Sequence, residues 1–143
     1  MLATLRSARE QLAQLGALRS SRLYRGPAWG PPQPDYLNAA VRVEGQLPEP
    51  GQLLLYLQGI ERAHGRVRTV RFGPRTLDLD LLDVDGLHLQ SAELELPHPR
   101  LLERPFVLRP VLDLEPDYRH PDGRTAASAL AGLQDLTELL GSW

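Results

Sequence analysis

Residues 71–84 read Arg71-Phe72-Gly73-Pro74-Arg75-Thr76-Leu77-Asp78-Leu79-Asp80-Leu81-Leu82-Asp83-Val84. Charge inverts inside this stretch. Arg62, Arg66, Arg68, Arg71 and Arg75 lie in residues 62–75 with no acid among them. Residues 76–97 then carry Asp78, Asp80, Asp83, Asp85, Glu93 and Glu95 and no arginine. From Thr76 onward apolar and acidic side chains alternate, which predicts a strand over 76–84 with Leu77, Leu79 and Leu81 turned to a core. Asp78 and Asp80 then share the other face, about 6.6–7 Å apart by the rise of two strand residues. Paired carboxylates repel each other and attract a hard cation. Mg²⁺ suits them, because it keeps water and completes its shell with substrate phosphates. Two such ions are able to bridge a polyphosphate. Gly65 and Gly73 mark the basic stretch as a loop, and guanidinium forks pair bidentately with phosphate. Two solvated surface segments of opposite sign would give the same charge pattern.

The flanking chain supplies the other elements. Leu2, Leu5, Leu12 and Leu15 stand at helical spacing over residues 2–15, with Gly16 as a stop. Residues 18–25 predict a strand, and 26–34, with four prolines and two glycines, predict an irregular stiff loop. Residues 36–46 predict a second strand. Residues 49–64 predict a second helix with Leu53, Leu54, Leu57 and Ile60 along its apolar stripe. Short helices are expected near 99–104, 105–113 and 125–140. Helix–strand–strand–helix–strand is an α+β order, with helices on a mostly antiparallel sheet.

Composition removes several chemistries. The chain has 143 residues, no cysteine, and a formal charge of −2. One domain over 1–143 is expected. Thiol catalysis and thiolate metal sites are excluded. All 16 basic residues are arginine, so Schiff bases and a P-loop lysine are excluded, and any phosphate must be gripped by arginine. The charge balance argues against a nucleic-acid surface, and the apolar runs are too short for a membrane helix. The N-terminus shows no secretory signal core, which makes a cytoplasmic location the expectation.

Two further groups carry chemical potential. Trp29 tips the proline loop, and Tyr36 and Asn38 follow two apart on one strand face. A flat heteroaromatic ring stacks on aromatics and is read by an amide that donates and accepts. Packing would equally explain Tyr36, and a strand edge Asn38, although Asn38 is the sole asparagine of the chain. His98 sits between Pro97 and Pro99, with Arg100 and Arg104 following. His64, His88 and His120 are read as surface residues.

These pieces together resemble the 6-hydroxymethyl-7,8-dihydropterin pyrophosphokinase family. The matching stretches are Tyr24-Arg25 with the proline loop, Pro34-Asp35-Tyr36-Leu37-Asn38-Ala39, Gln58-x-x-Glu61 with Gly65-Arg66-x-Arg68, and Phe72 to Asp80. Leu96-Pro97-His98-Pro99-Arg100 and Glu103-Arg104-x-Phe106-Val107-Leu108-x-Pro110 complete the set. The resemblance implies a ferredoxin-like α/β/α sandwich and transfer of pyrophosphate from ATP to the pterin hydroxymethyl group. It implies Asp78 and Asp80 as ligands of two Mg²⁺ ions, and Arg66 and Arg75 beside them as catalytic phosphate grips. Gln58, Arg66, Arg68, Arg75, His98 and Arg104 are implied at ATP. Pro27, Ala28, Trp29, Tyr36, Asn38 and Phe106 are implied at the pterin. A monomer acting on small molecules is expected, with no nucleic-acid or membrane partner. Relative to the family pattern, the N-terminal strand and its Gly-Ser-Asn-type turn are expected to be missing. Phe72 stands where tryptophan is common, and Pro99 where an aromatic is. The alternatives are another Mg²⁺-dependent Asp-x-Asp nucleotidyl or glycosyl transferase, and an inactive, truncated binding form of the same fold.

Overall fold

The computed structural model describes residues 2–27, 36–65 and 77–143. Helix α1 spans Leu2–Leu12 and continues as a 3₁₀ turn over Ala13–Leu15. Its apolar stripe buries Ala8 and Leu12. Gly16 ends it for a steric reason: a Cβ there would lie 2.2 Å from the Glu44 carbonyl oxygen.

The expected strand at 18–25 is two strands, β1 (Ala17–Ser20) and β2 (Leu23–Gly26). The one at 36–46 is likewise β3 (Tyr36–Asn38) and β4 (Val41–Glu44). β1 pairs antiparallel with β4, Ser20 opposite Val41, and β2 with β3, Tyr24 opposite Asn38. Three residues (21–23) therefore face two (39–40) at the break, which is a bulge. Buried Ser21 closes it. Its N–H donates to Ala40 O at 2.8 Å, and its Oγ accepts the Ala40 N–H at 2.8 Å. The Trp143 indole donates to Ser21 O at 2.8 Å.

Helix α2 (Pro50–Ala63) buries Leu53, Leu57, Ile60 and Glu61. Leu57 and Ile60 form one core cluster with Ala8, Leu12 and Leu77, packed by Leu18 of β1, Val41 of β4, Leu79 and Leu81. His64 is half-buried rather than superficial. Its Nδ1 lies 2.8 Å from Ile60 O and its Nε2 3.0 Å from Ser7 Oγ, so it ties α2 to α1. His88 is exposed and His120 half-buried.

The strand expected over 76–84 is not formed across residues 77–84, which pair with no described strand; Thr76 lies outside the described residues. Alternation survives without the ladder: Leu77 is buried, Asp78 and Asp80 are exposed, and Leu79 is half-buried. At the centre of this run the Leu79 N–H, which a neighbouring strand would bind in a ladder, is taken by a side chain, the Glu61 carboxylate, at 2.8 Å. A turn at Asp83–Gly86 then leads into a short hairpin, β5 (Leu89–Gln90) with β6 (Glu95–Leu96).

After a 3₁₀ turn at Leu101–Glu103, helix α3 runs Pro105–Leu114. The helix expected over 125–140 is only α4 (Ala126–Ala131), capped by Thr125 Oγ1 accepting the Ser128 N–H at 3.1 Å. Glu138–Gly141 instead forms strand β7, paired antiparallel with β2. The order β3-β2-β7 makes a three-stranded sheet. A second cluster joins Leu101, Leu102, Leu108 and Ala126. The chain is thus α+β, of helices and antiparallel strands. Among the described residues, no helix is long and apolar enough to cross a membrane.

Asp113 of α3 locks the helix to the bulge. It accepts from the Arg22 N–H at 3.0 Å, the Arg22 guanidinium at 2.8 Å, and the Tyr24 hydroxyl at 2.8 Å. Burial alone would raise the Asp113 carboxyl, but the Arg22 and Tyr24 hydrogen bonds outweigh it and hold the group below its usual range. Burial and the same carboxylate push the Tyr24 phenol up. Asp113→Ala leaves the buried Tyr24 hydroxyl and the Arg22 N–H without their acceptor, and urea unfolding at pH 7 is expected to show a loss of about 2 kcal/mol. A depressed carboxyl stabilises the fold above its ordinary value of 3.8 and loses that contribution as pH falls through its lower folded value. The stability gap between the wild type and Asp113→Asn should therefore shrink below that point, and a gap constant into stronger acid would contradict the lock.

Candidate active site

The first part of the site is built on β2 and β3. Tyr24 and Gly26 share a sheet face with their partners Asn38 and Tyr36. Helix α3 begins over this face. A Cβ placed on Gly26 would lie 3.7 Å from Asn38 Nδ2, 3.9 Å from Phe106 Cβ and 3.9 Å from Thr137 Cγ2. The Asn38 amide and Phe106 thus converge on Gly26, with room for a methyl group and little more. Beside it opens a cavity of about 150 Å³ lined by Pro27, Glu103, Arg104, Pro105, Phe106, Gln134, Leu136 and Thr137. The Arg104 guanidinium stands 5.5 Å from the Phe106 ring centroid, within cation–π range. The chain brings together Pro27, Asn38, Arg104 and Phe106, with half-buried Tyr36 paired opposite Gly26. Ala28 and Trp29 lie outside the described residues.

The second part is the acidic segment. Leu77 and Leu79 enter the α1–α2 core while Asp78 and Asp80 stay exposed. Glu61, 3% exposed, holds the segment by the Leu79 N–H. Half-buried Gln58 lies one turn earlier on the same helix. Three residues after Leu79, the Leu82 carbonyl accepts the His98 N–H at 2.7 Å. His98 Nδ1 accepts the Arg100 N–H at 3.1 Å, which in the neutral ring leaves the proton on Nε2. Elements bearing Gln58 and His98 thus fasten to one short run of chain. Arg66, Arg68 and Arg75 lie outside the described residues.

Two exposed carboxylates suit a hard divalent ion. Among the described residues, no group of three or more His, Cys, Asp or Glu side chains forms a metal cage. An ion on Asp78 and Asp80 would therefore take oxygens from water or a phosphate ligand for much of its shell, as Mg²⁺ does. Farther along, Asp83 Oδ2 accepts from the Tyr118 hydroxyl at 2.5 Å and Oδ1 from the Gly86 N–H at 2.8 Å. Burial, then the bond to Asp83, pushes the Tyr118 phenol well above its ordinary value. Tyr118 stays a donor and holds the end of the segment.

Some contributors escape motif reasoning. Glu61 belongs to the Gln58-x-x-Glu61 motif without a ligand role, and its place beside Leu57 on a core-facing stripe is the signal of its burial. Gly26, Gln134 and Thr137 carry no local signal, because their part is set by pairing across the sheet.

Residues 1–116 match the family model described as 7,8-dihydro-6-hydroxymethylpterin-pyrophosphokinase. A 2-amino-4-hydroxy-6-hydroxymethyldihydropteridine pyrophosphokinase of Synechocystis sp. is 46% identical over 108 residues, 75% of this chain and 55% of that protein. The folic acid synthesis protein fol1 of Pneumocystis carinii is 44% identical over 105 residues, 73% of this chain and 14% of that protein. A pyrophosphokinase of the first name from Methylorubrum extorquens is 42% identical over 135 residues, 92% of this chain and 84% of the relative. This chain thus spans about half of the Synechocystis protein and a small part of the Pneumocystis one.

The convergence at Gly26 is testable by size. The contacts of an added methyl are ordinary ones, so Gly26→Ala should melt within a few degrees of the parent. Gly26→Leu must enter the cavity or part Asn38 from Phe106, at a cost of about 1–3 kcal/mol. Equal melting of the two variants would show that the face is open.

Proposed function

The chain belongs to the 7,8-dihydro-6-hydroxymethylpterin-pyrophosphokinase family, and from that membership we propose that it transfers pyrophosphate from ATP to the hydroxymethyl group of 6-hydroxymethyl-7,8-dihydropterin, in folate synthesis. The observation that carries the proposal is the convergence of Asn38 and Phe106 on Gly26, beside a cavity with Arg104 in its wall. An amide supplies both a donor and an acceptor to a ring edge, while Tyr36 and Phe106 offer flat apolar surfaces to its faces. Pro27, Ala28 and Trp29 of the proline loop are assigned to pterin binding.

Gln58, Arg66, Arg68, Arg75, His98 and Arg104 hold ATP. With no lysine in the chain, guanidinium forks supply the cationic side chains for its phosphates, and Arg66 and Arg75 are assigned the catalytic grip on the group transferred. Asp78 and Asp80 hold two Mg²⁺ ions, which supply charge neutralisation at the phosphates. The hydroxymethyl oxygen bonds to the β-phosphorus, the bond from that phosphorus to the α-bridging oxygen breaks, AMP leaves with the electron pair, and the hydroxyl proton passes to water. Such transfer depends mainly on positioning and charge stabilisation, which this set of side chains provides without a nucleophile of its own. Around this chemistry we assign one domain over 1–143, a ferredoxin-like α/β/α sandwich. It acts in the cytoplasm as a monomer, on small molecules alone and without nucleic acid or membrane.

Incubation with ATP, Mg²⁺ and hydroxymethyldihydropterin is expected to release AMP only when the pterin is present. AMP without pterin, or ADP in its place, would contradict the proposal. Asp80→Ala should lower the rate at least about a hundredfold, the scale of losing one charge-stabilising group. Its melting temperature should hold, because Asp80 is exposed.

A further inference from the structure

We infer that Glu61 is a positioning residue that sets the orientation of Asp78 and Asp80. The inference rests on the function proposed above. Glu61 is 3% exposed and stands on the face of α2 that also buries Leu57 and Ile60. A carboxylate costs free energy there unless hydrogen bonds compensate it. Its Oε2 accepts the Leu79 N–H at 2.8 Å. Leu79 is the single residue between the two aspartates, and its side chain packs on the cluster that contains Leu57 and Ile60.

That residue is therefore held from two directions, by packing of its side chain and by capture of its N–H. In a sheet, a neighbouring strand would supply a carbonyl to this donor. Residues 77–84 pair with no described strand, and the side chain of a helix 18 positions upstream takes the strand's place. Rotation of the peptide before Leu79 would swing Asp78, and rotation after it Asp80. Fixing this one residue thus fixes both carboxylates relative to the core. Partners behind a ligand commonly govern metal affinity in this way.

Length and charge are separable. Glu61→Gln keeps an oxygen acceptor at the same reach and drops the charge. Glu61→Asp keeps the charge and retracts it by one methylene. The readout is the Mg²⁺ concentration that half-saturates binding of a non-hydrolysable ATP analogue, together with pterin affinity at saturating analogue and Mg²⁺. Glu61→Asp should raise the Mg²⁺ requirement at least about tenfold, and Glu61→Gln by no more than about threefold. Pterin affinity should hold in both. The reverse order would assign Glu61 a charge role and overturn the inference, as would wild-type behaviour in both variants. Amide exchange of the unaltered protein gives a test that needs no variant to fold: the Leu79 N–H should be strongly protected. Exchange at the rate of an open loop would overturn the inference. Failure of the wild type to bind the analogue with Mg²⁺ would count against the proposed function instead, and the Leu79 amide would still judge the positioning.

Discussion

A hydrogen bond ties the core to the exposed acids. The buried Glu61 carboxylate on α2 takes the Leu79 N–H, and Leu79 is the hinge between Asp78 and Asp80. Alternation does the rest, sending leucines into the α1–α2 cluster and carboxylates outward. The same contact satisfies the central donor of a segment that alternates like a strand and pairs with no described strand. Backbone donors must be satisfied, and here a side chain satisfies the central one.

A second polar contact sets the other half. The bulge at residues 21–23 reorients β2 against β1, and Asp113 of α3 binds both the bulge and Tyr24. That brings the start of α3, with Arg104 and Phe106, over Gly26 and Asn38. Ser21 and Asp113 are not themselves proposed ligand residues, yet the pocket depends on the register and helix placement they impose. Thr137, the residue before β7, adds the third wall.

Local patterns carried much of this. Helical spacing located α2 to within one residue at each end, and strand spacing placed Tyr36 and Asn38 on one face of β3. The residues at Gly26 were legible as motifs, and Pro27, Asn38, Arg104 and Phe106 do come together. What failed was long-range. Asp113 and Arg22 are 91 residues apart, and nothing local marks their pairing. Leu136, Leu139 and Leu140 fit a helical stripe, but they are 63%, 41% and 40% exposed. With no core to receive such a stripe, the free edge of β2 takes the segment as β7. At 77–84, which pair with no described strand, the Leu79 donor is likewise taken by a distant helix.

The central claim is that the acidic pair and the Gly26 pocket serve one reaction centre. A crystal structure with a non-hydrolysable ATP analogue, Mg²⁺ and hydroxymethyldihydropterin tests it most directly. The account predicts the ring against Phe106 with its amide edge on Asn38, and its hydroxymethyl group facing phosphates whose metal rests on Asp78 and Asp80. A ring bound away from Gly26, or metal bound away from both aspartates, would contradict it.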